Sequence, residues 1–564
     1  MDLFSQFCES RGYDTSFFDD LEKQPTTLLK DIDLLCSRLA DIRASGELIV
    51  VLPDFDMDGI ASGVIGYAGL SELGFNCALY CPDSADGHAF GPCVVDKLVH
   101  VFPAARHIIS CDCGISEREA VERATSLGIE FLVTDHHPEM SLAASGASVI
   151  VDPNRFDTKY ENSQICGANV LWKALMRFSE LYCDVFMSES IRRLGVFAGI
   201  GTISDMMELR GENRPLVRDS VDTIRTIASF AYLRDFMQFL GLAHTKTYLQ
   251  AFEGLFNLIA DLKERGKIID VSNINCRLFA FYIAPLFNSL KRFSLTCELA
   301  FDVFFSGVVK SRLAVAKLVE LSERRKGVSE MAFADVMSDP SLELYSRMAY
   351  ASPVAPGMLG LIASEVVETN GCPCVVVNVN ADGTLSGSGR STLGFDARQT
   401  LSDLGAYAEG HSGAFGVSFE NLSHLVDVMS RFDAIWRAYY SAHKDDAFKE
   451  YDVHIYSFDT DTERRFDVHD FRALAFELSR LEPFGVGFPE AKIRLDMKAT
   501  DYKLSYIGHD KQHTKLSLPD FSVLSWNVRA SDTPRGYTCI GSPLISIYND
   551  HVQVSLTGDL IERT

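Results

Sequence analysis

Short apolar β-type segments alternate with helical segments between residues 46 and 151, and this alternation constrains the fold more than any other feature. The β-type segments are ELIVVL (47–52), NCALYC (76–81), RHIIS (106–110), EFLVT (130–134) and ASVIV (147–151). Helical patterns such as ASGVIGYAGLSELG and SEREAVERATSLG lie between them. Buried strands separated by helices are typical of a mostly parallel, doubly wound sheet. The sequence therefore predicts an α/β fold for this part of the chain.

The remaining sequence changes character several times, which suggests a division into five segments. After about residue 215 the strand signals fade and helical patterns dominate, ending in KSRLAVAKLVELSERRKG (310–327). A second α/β pattern begins near GMLGLIASEVVETNG, and the tail alternates apolar and polar residues as a β-barrel does. We predict an N-terminal helical extension, a first α/β domain with a helical insertion, a connecting helix, a second α/β domain and a C-terminal barrel, at residues 1–45, 46–290, 291–345, 346–449 and 450–564.

Composition limits the classes of protein to which the chain can belong. With 47% hydrophobic and 23% charged residues, it is expected to fold rather than to stay disordered. A formal net charge of −24 argues against general coating of nucleic acid but allows a local basic channel. The 14 cysteines form no paired CxxC motifs, which favours a reducing, cytoplasmic location. We find no signal peptide and no apolar run of the roughly 18 residues that a membrane helix needs, so we expect no membrane partner.

Acidic and histidine residues directly follow three of the predicted strands. The first strand is followed by DFDMDG, the third by CDCG and the fourth by DHHP. All strands of an open parallel sheet end at one edge, and ligands bind outside that edge. We therefore expect three clusters to meet there, namely Asp54, Asp56 and Asp58, then Asp112, and finally Asp135, His136 and His137.

Each cluster by itself has an ordinary structural explanation. A single DxDxD is more often a solvated turn or a helix cap, and a single DHH is usually a surface loop. Three such clusters at strand ends favour a metal site instead, because close carboxylates repel one another unless cations lie among them. Oxygen and imidazole ligands suit Mn²⁺ or Mg²⁺, and two such ions activate water for attack on a phosphate. The constellation thus predicts phosphate chemistry at a two-metal site.

A series of motifs resembles, in order, those of the DHH phosphoesterase superfamily and in particular of the RecJ single-strand exonucleases. The first motifs are DFDMDG, SCDCG, TDHHP, VDPN (151–154), CGA (166–168) and GTISDMMELRGENR (201–214). The later ones are APLFNSLKR (284–292), GMLGLIAS (357–364), SGSGRS (386–391), GHSGAFGVSF (410–419) and LEPFGVGFPE (481–490). The resemblance covers about residues 46 to 520, and the ordered set is far more specific than any single motif.

The resemblance implies a metal-dependent 5′→3′ exonuclease that hydrolyses phosphodiester bonds of single-stranded DNA in recombination, repair or replication. It implies two divalent cations, Mn²⁺ or Mg²⁺. It also gives names to the predicted domains: a DHH catalytic lobe, a DHH-associated substrate-binding lobe and an oligonucleotide-binding-type barrel. Single-stranded DNA is the implied partner, with RNA, a single-strand-binding protein or a helicase left open.

The resemblance also implies roles for residues of the clusters. The implied metal ligands are Asp54, Asp56, Asp58, Asp112, His136 and Asp205, with Asp112 bridging both ions. Asp135 would orient the neighbouring imidazole, and His137 would stabilise charge on the scissile phosphate. The attacking group would be an activated water, so no Ser or Cys nucleophile is required.

Further positions are implied to bind the strand. SGSGRS alone would be a flexible turn, but beside a phosphate-cleaving site it is better interpreted as an anion cradle, with Ser388 and Arg390 on the 5′-phosphate. His411 would contact the backbone near the cleaved bond, and Asn288 and Arg292 would line the channel. In the barrel, the candidates are His509, Lys511, His513 and Lys515. The sequence departs from the family at Leu286, where the channel helix usually has arginine.

Two other functions remain open from the sequence. One is a DHH phosphodiesterase that acts on short oligoribonucleotides or cyclic dinucleotides. The C-terminal barrel and LEPFGVGFPE favour long strands over such substrates. The other is a non-catalytic nucleic-acid-binding replication scaffold, which the complete set of acids disfavours.

Overall fold

The structure is a computed structural model, and the chain forms two compact units. The structure describes residues 3–82, 90–138, 146–241, 243–293, 295–392, 394–410, 412–443, 452–456, 468–508, 511–526, 528–530, 535–548 and 551–562. The first unit comprises residues 1–287, 296–316 and 450–564, and the second comprises residues 288–295 and 317–449. The five predicted domain boundaries remain predictions.

The N-terminal half of the first unit contains five strands among many helices. The strands are β1 (Leu48–Pro53), β2 (Cys77–Leu79), β3 (Ala105–Cys111), β4 (Glu130–Thr134) and β5 (Val149–Val151). The helices up to residue 204 are α1 (Leu3–Arg11), α2 (Thr15–Leu21), α3 (Ile32–Ser45), α4 (Met57–Glu72), α5 (Pro92–Val101), α6 (Arg118–Ser126), α7 (Gly167–Tyr182), α8 (Val185–Arg193) and α9 (Gly195–Ser204).

These five strands form one sheet in the order β2-β1-β3-β4-β5, and every pairing in it is parallel. The strands β1, β3, β4 and β5 are largely buried, as continuous apolar segments predict, whereas the edge strand β2 is partly exposed. The predicted parallel-sheet α/β fold class is therefore confirmed. Since β1, β3 and β4 are neighbours, the segments that follow them leave the sheet side by side.

The stretch after α9 is helical, as the fading strand signals predict. Its helices are α10 (Asn213–Ser229), α11 (Leu233–Leu240), α12 (Lys246–Glu264), α13 (Cys276–Leu278), α14 (Ala284–Arg292) and α15 (Glu298–Phe305), with a π-helical turn at Phe279–Ile283 and a 3₁₀ turn at Val271–Asn273. The predicted connecting helix is α16 (Val308–Ser338), which has 31 residues and belongs partly to each unit.

The second unit contains a six-stranded mixed sheet. Its strands are β6 (Glu343–Tyr345), β7 (Ala349–Ala351), β8 (Cys374–Val379), β9 (Leu385–Arg390), β10 (Tyr407–Gly410) and β11 (Ala414–Phe419), in the order β10-β11-β9-β8-β7-β6. Its further helices are α17 (Pro356–Asn370), α18 (Ala397–Asp403) and α19 (Leu422–His443), with a 3₁₀ turn at Pro340–Leu342. SGSGRS falls in strand β9 and not in a turn, because pairing with β8 and β11 on both sides outweighs the turn preference of serine and glycine.

The C-terminal part of the first unit is a seven-stranded sheet, compatible with the predicted oligonucleotide-binding-type barrel. Its elements are β12 (Val453–Tyr456), α20 (Val468–Ser479), β13 (Ile493–Lys498), β14 (Lys503–Ile507), β15 (His513–Ser517), β16 (Ser522–Ser525), β17 (Gly536–Tyr548) and β18 (His551–Glu562), with strand order β12-β13-β17-β18-β16-β15-β14. Phe7 of α1 lies in the hydrophobic core of this sheet. Among the described helices, none combines the length and apolarity needed to cross a membrane.

Candidate metal centre

The three acidic clusters lie next to one another because the sheet's hydrogen bonds continue one residue beyond its strands. Asp54, Asp112 and Asp135 each donate their backbone N–H to a carbonyl at the end of the adjacent strand, at 3.1, 2.9 and 3.1 Å. Their side chains are all almost completely buried. The expected convergence at the carboxyl edge of the parallel sheet is therefore present.

Two helix termini position the acids of DFDMDG. Asp56 is the N-cap of α4, and its Oδ1 accepts hydrogen bonds from the backbone N–H groups of Asp58 and Gly59. Asp58 accepts from the first backbone N–H groups of α7, at Gly167 (2.7 Å) and Ala168 (3.2 Å). The positive end of α7 thus stabilises the Asp58 carboxylate.

The motif CGA is explained by how closely α7 approaches the acids. A Cβ atom at Gly167 would lie 2.5 Å from Asp112 Oδ1, so only glycine allows the helix to begin here. Asp112 itself has φ 65°, a left-handed conformation that aspartate tolerates better than most residues. The backbone at this point is shaped around the Asp112 carboxylate.

The ligand atoms of these residues form three overlapping groups. Within each group the atoms lie within 4.8 Å of one another, and the groups are Asp54, Asp56 and Asp112; Asp58, His136 and Asp205; and Asp112, His136 and His137. His136 Nε2 is 3.2 Å from Asp112 Oδ1, 3.4 Å from Asp205 Oδ2 and 3.9 Å from Asp58 Oδ2. The structure therefore brings together all six predicted ligands, and the bridging of two ions by Asp112 stays a prediction.

Close, buried carboxylates make this cluster electrostatically unfavourable unless cations bind to it. Burial, together with the charges of neighbouring aspartates, raises the pKa of Asp112 well above its ordinary value. Burial and the charge of Asp56 raise the pKa of Asp58 to about 6, against hydrogen bonds that lower it. Asp112 Oδ1 is buried and accepts no hydrogen bond from the described residues. An oxygen-rich donor set with one imidazole and an unsatisfied buried carboxylate oxygen fits divalent cations such as Mn²⁺ or Mg²⁺.

Asp135 and His137 form a hydrogen-bonded pair at the edge of the cluster. Asp135 Oδ1 lies 2.8 Å from His137 Nδ1 and also accepts from the backbone N–H of His136 and of His137. Burial lowers the pKa of His137, but the charge and hydrogen bond of Asp135, together with the charges of Asp205 and Asp54, raise it to about 10. The His137 side chain is half exposed. It is therefore a protonated donor that solvent or a substrate can reach.

The residues predicted to bind the 5′-phosphate and to line the channel lie in the second unit. Ser388 and Arg390 are two residues apart on β9 and so share one face of that strand. Asn288 and Arg292 are four residues apart on α14 and share one side of that helix. His411 and His509 lie outside the described residues. Leu286 is buried and thus cannot act as a surface contact.

The loop after β5 supplies residues whose importance the sequence did not reveal. Asp152 is completely buried, and burial with the charge of Asp135 raises its pKa to about 8. Asn154 donates from Nδ2 to the backbone carbonyl of His136. The motif VDPN at the end of β5 indicated that this loop matters. A single loop motif does not show which neighbouring loop it contacts.

The raised carboxyl pKa values predict an unusual pH dependence of metal-free stability. When a carboxyl group has a higher pKa in the folded than in the unfolded state, the free energy of unfolding of the protein falls as pH rises above the unfolded pKa of about 3.9. We therefore expect Asp112→Asn, measured in EDTA, to raise the melting temperature relative to the natural chain, by more at about pH 8 than at about pH 5. Mn²⁺ should stabilise the natural chain at the higher pH. An equal difference at both pH values would contradict this account.

Comparison with known proteins identifies relatives by sequence. A model described as the DHH family, N-terminal domain, matches residues 48–194. The single-stranded-DNA-specific exonuclease RecJ of Salmonella typhimurium is 25% identical over 425 residues, which cover 70% of this chain and 67% of that protein. The RecJ of Bacillus subtilis is 23% identical over 518 residues, covering 90% of this chain and 58% of the relative. The matched family domain includes the three clusters but ends before Asp205.

Solved structures show the same fold. The crystal structure of RecJ in complex with Mn²⁺ from Thermus thermophilus matches with a TM-score of 0.68 and 21% identity, over 99% of this chain and 76% of that one. A structure of exonuclease RecJ bound to manganese matches with a TM-score of 0.52 and 23% identity, over 74% of this chain and 95% of that one. Identities this low concern the fold alone.

Proposed function

We infer that this chain is a RecJ-like member of the DHH family, and we propose that it is a metal-dependent exonuclease that hydrolyses phosphodiester bonds of single-stranded DNA from the 5′ end. Such an activity would serve DNA recombination, repair or replication. The single observation that supports it most is the largely buried group of five aspartates and one histidine at the ends of β1, β3 and β4 and beside α4 and α9. We also propose a cytoplasmic location, because all fourteen cysteines are free thiols.

Two divalent cations bound in this cluster would activate a water molecule and neutralise charge on the phosphate. The chain's own contribution is to hold the ligands in place before substrate arrives. Asp54, Asp56 and Asp112 would hold one cation, and Asp112 would be shared with the group of Asp58, His136 and Asp205. Pre-formed ligand geometry of this kind costs no reorganisation at the moment of reaction.

His137 would act on the substrate rather than on the cations. Its Nδ1 is held by Asp135, and its raised pKa of about 10 keeps the imidazole protonated at neutral pH. The half-exposed ring can donate a hydrogen bond to a phosphate oxygen and so stabilise the charge that develops there. Asp135 fixes the orientation of that ring through Oδ1, while its Oδ2 accepts the backbone N–H of Ile115.

A 5′-phosphate site in the second unit would set the direction of degradation. Arg390 is only partly exposed, burial lowers the pKa of its guanidinium, and no described carboxylate pairs with it. Its Nη2 packs against Gly360 of α17, where a Cβ atom would lie only 2.5 Å away. Arg292 Nη1 donates to the carbonyl of Gly357, one turn earlier on the same helix.

Two arginines therefore flank the first turns of α17, a helix of 15 residues whose N-terminus carries partial positive charge. Ser388 lies on the same face of β9 as Arg390 and adds a hydroxyl. A buried cation without a counter-ion is costly, so a phosphate is the expected partner. This arrangement supports Ser388, Arg390 and Arg292 as phosphate contacts, with Asn288 one turn before Arg292.

The C-terminal sheet would contact further nucleotides of the single-stranded DNA. Trp526 is 52% exposed and meets His513 edge to face at 4.8 Å between ring centroids. Arg529 stacks over Tyr506 at 5.0 Å. The exposed ring of Trp526 would suit stacking of bases, and Lys511 and Lys515 in the same part of the chain would neutralise phosphates. A single-strand-binding protein or a helicase as partner, and RNA as alternative substrate, remain predictions.

The proposed function is tested with the purified full chain and Mn²⁺ on 3′-labelled oligonucleotides that carry a 5′-phosphate. We expect stepwise shortening of single-stranded DNA from the 5′ end, little action on blunt duplex, and complete inhibition by EDTA. Hydrolysis confined to short oligoribonucleotides or cyclic dinucleotides would instead identify the chain as the phosphodiesterase. Strand binding without hydrolysis under any metal would identify a scaffold.

A further inference from the structure

The loop that carries His136 is held on both sides by side chains rather than by the sheet. The backbone ladder between β4 and β5 ends when Asp135 N–H donates to the carbonyl of Val151. Beyond it, the N–H of His136 donates to Asp135 Oδ1 at 2.7 Å, and its carbonyl accepts from Asn154 Nδ2 at 2.5 Å. Both peptide groups that flank the His136 Cα atom are thus fixed by side chains.

Asn154 also contacts the segment that leads into α7. The same Nδ2 group donates to the carbonyl of Ser163 at 3.1 Å, so both of its hydrogens are used. Ser163 lies four residues before Gly167, whose backbone N–H holds Asp58. The Asn154 side chain therefore connects the loop that carries His136 to the segment before α7, whose first N–H group holds Asp58.

Asn154 is itself fixed by the acid that precedes it by two residues. The backbone N–H of Asn154 donates to Asp152 Oδ1, and Asp152 is completely buried. This is the turn that aspartate favours, in which its carboxylate accepts a hydrogen bond from the backbone N–H two residues later. The amide group of Asn154 is thereby presented to the two carbonyls in a single orientation.

We propose that Asn154 is a positioning residue of the metal centre, which holds the His136 imidazole beside Asp58, Asp112 and Asp205. This inference rests on the proposed function, because it presumes that the cluster binds divalent cations. Without Asn154, the carbonyl of His136 loses this hydrogen bond and its peptide is held less firmly, which displaces an Nε2 atom that now lies 3.2 to 3.9 Å from three carboxylates. Residues that orient metal ligands from behind typically change metal affinity by about 10- to 100-fold.

The test is Mn²⁺ binding to the full chain by isothermal titration, with no substrate present. We expect Asn154→Ala to bind Mn²⁺ about 10-fold more weakly than the natural chain. Asn162→Ala is the matched control, because Asn162 is a half-buried amide of the same loop whose Nδ2 donates to Glu212 and not to His136. It should bind Mn²⁺ normally. Raised Mn²⁺ should restore turnover of Asn154→Ala, since Asn154 touches no substrate.

The outcomes separate this inference from the function on which it rests. Folded Asn154→Ala that binds Mn²⁺ within about twofold of the natural chain would overturn the positioning role while leaving the metal centre intact. Failure of the natural chain itself to bind Mn²⁺ would overturn the metal centre and the positioning role together. If circular dichroism shows that Asn154→Ala is misfolded, Asn154→Leu decides, because leucine keeps the volume of the side chain and the backbone N–H that donates to Asp152 but has no side-chain donor. Mn²⁺ binding by folded Asn154→Leu within about twofold of the natural chain would overturn the positioning role.

Discussion

Replacing Asp112 with asparagine or alanine is expected to lower turnover of single-stranded DNA with Mn²⁺ by about 10³-fold or more. Asp112 is 2% exposed and belongs to two of the three groups of clustered ligand atoms, so its loss affects both halves of the centre. Charge stabilisation by a pair of cations is worth several kcal/mol, and about 4 kcal/mol corresponds to about 10³-fold in rate. The measurement is single-turnover cleavage of a 5′-phosphorylated strand at saturating protein.

Two variants and one control make this result interpretable. Asparagine preserves the fold better than alanine, because Asp112 has φ 65° and asparagine tolerates that region. Asp96→Ala is the matched control, since Asp96 on α5 pairs with Arg123 on the surface and belongs to none of the ligand groups. It should retain full activity. Near-natural turnover by folded Asp112→Asn would show that the two-metal proposal is wrong.

Replacing Arg390 with alanine is expected to weaken binding of 5′-phosphorylated strands by about 10- to 100-fold and to have a much smaller effect on strands with a 5′-hydroxyl. A hydrogen bond to a charged group contributes about 1.5–3 kcal/mol, which corresponds to this range of affinity. The guanidinium has no carboxylate partner among the described residues, so a bound 5′-phosphate would be its first ion-pair partner. Fluorescence anisotropy in EDTA measures this affinity without cleavage.

The same variant should leave the second unit at least as stable as before. Removing a buried charge without a counter-ion relieves a desolvation cost, whereas removing a paired arginine would expose its partner. Arg398→Ala is the matched control, because Arg398 is a partly exposed arginine of α18 whose guanidinium donates to its neighbour Gln399 and lies on neither β9 nor α17. An equal loss of affinity for both kinds of 5′ end would place the phosphate pocket elsewhere.

Much of the catalytic lobe could be predicted because its determinants are local. The apolar segments that become β1, β3 and β4 are separated by helices, and parallel strands joined by helices end at one edge. The acids that follow those strands had to meet there, whatever the rest of the chain does. The three clusters and the fold class therefore follow from spacing and from the regular geometry of the sheet.

Other features of the site depend on residues far apart in the chain. Strand pairing placed SGSGRS in β9 although its serines and glycines favour a turn, and this put Arg390 against Gly360. Nothing in the local sequence predicts that Arg292 at the end of α14 donates to the carbonyl of Gly357 at the start of α17. The proposed phosphate-binding arrangement is a product of tertiary packing between three separate segments.

The sequence by itself determined the parallel sheet and the meeting of the acidic clusters that follow β1, β3 and β4, because helix crossovers and the hydrogen-bond ladder act over short stretches of chain. Only the tertiary structure decided that Phe7 belongs to the core of the C-terminal sheet and that Asn154 holds the carbonyl of His136. It alone also placed Asp112 in a left-handed conformation against Gly167. These contacts arise where loops and distant segments pack, and their geometry has no periodic pattern that a sequence can display.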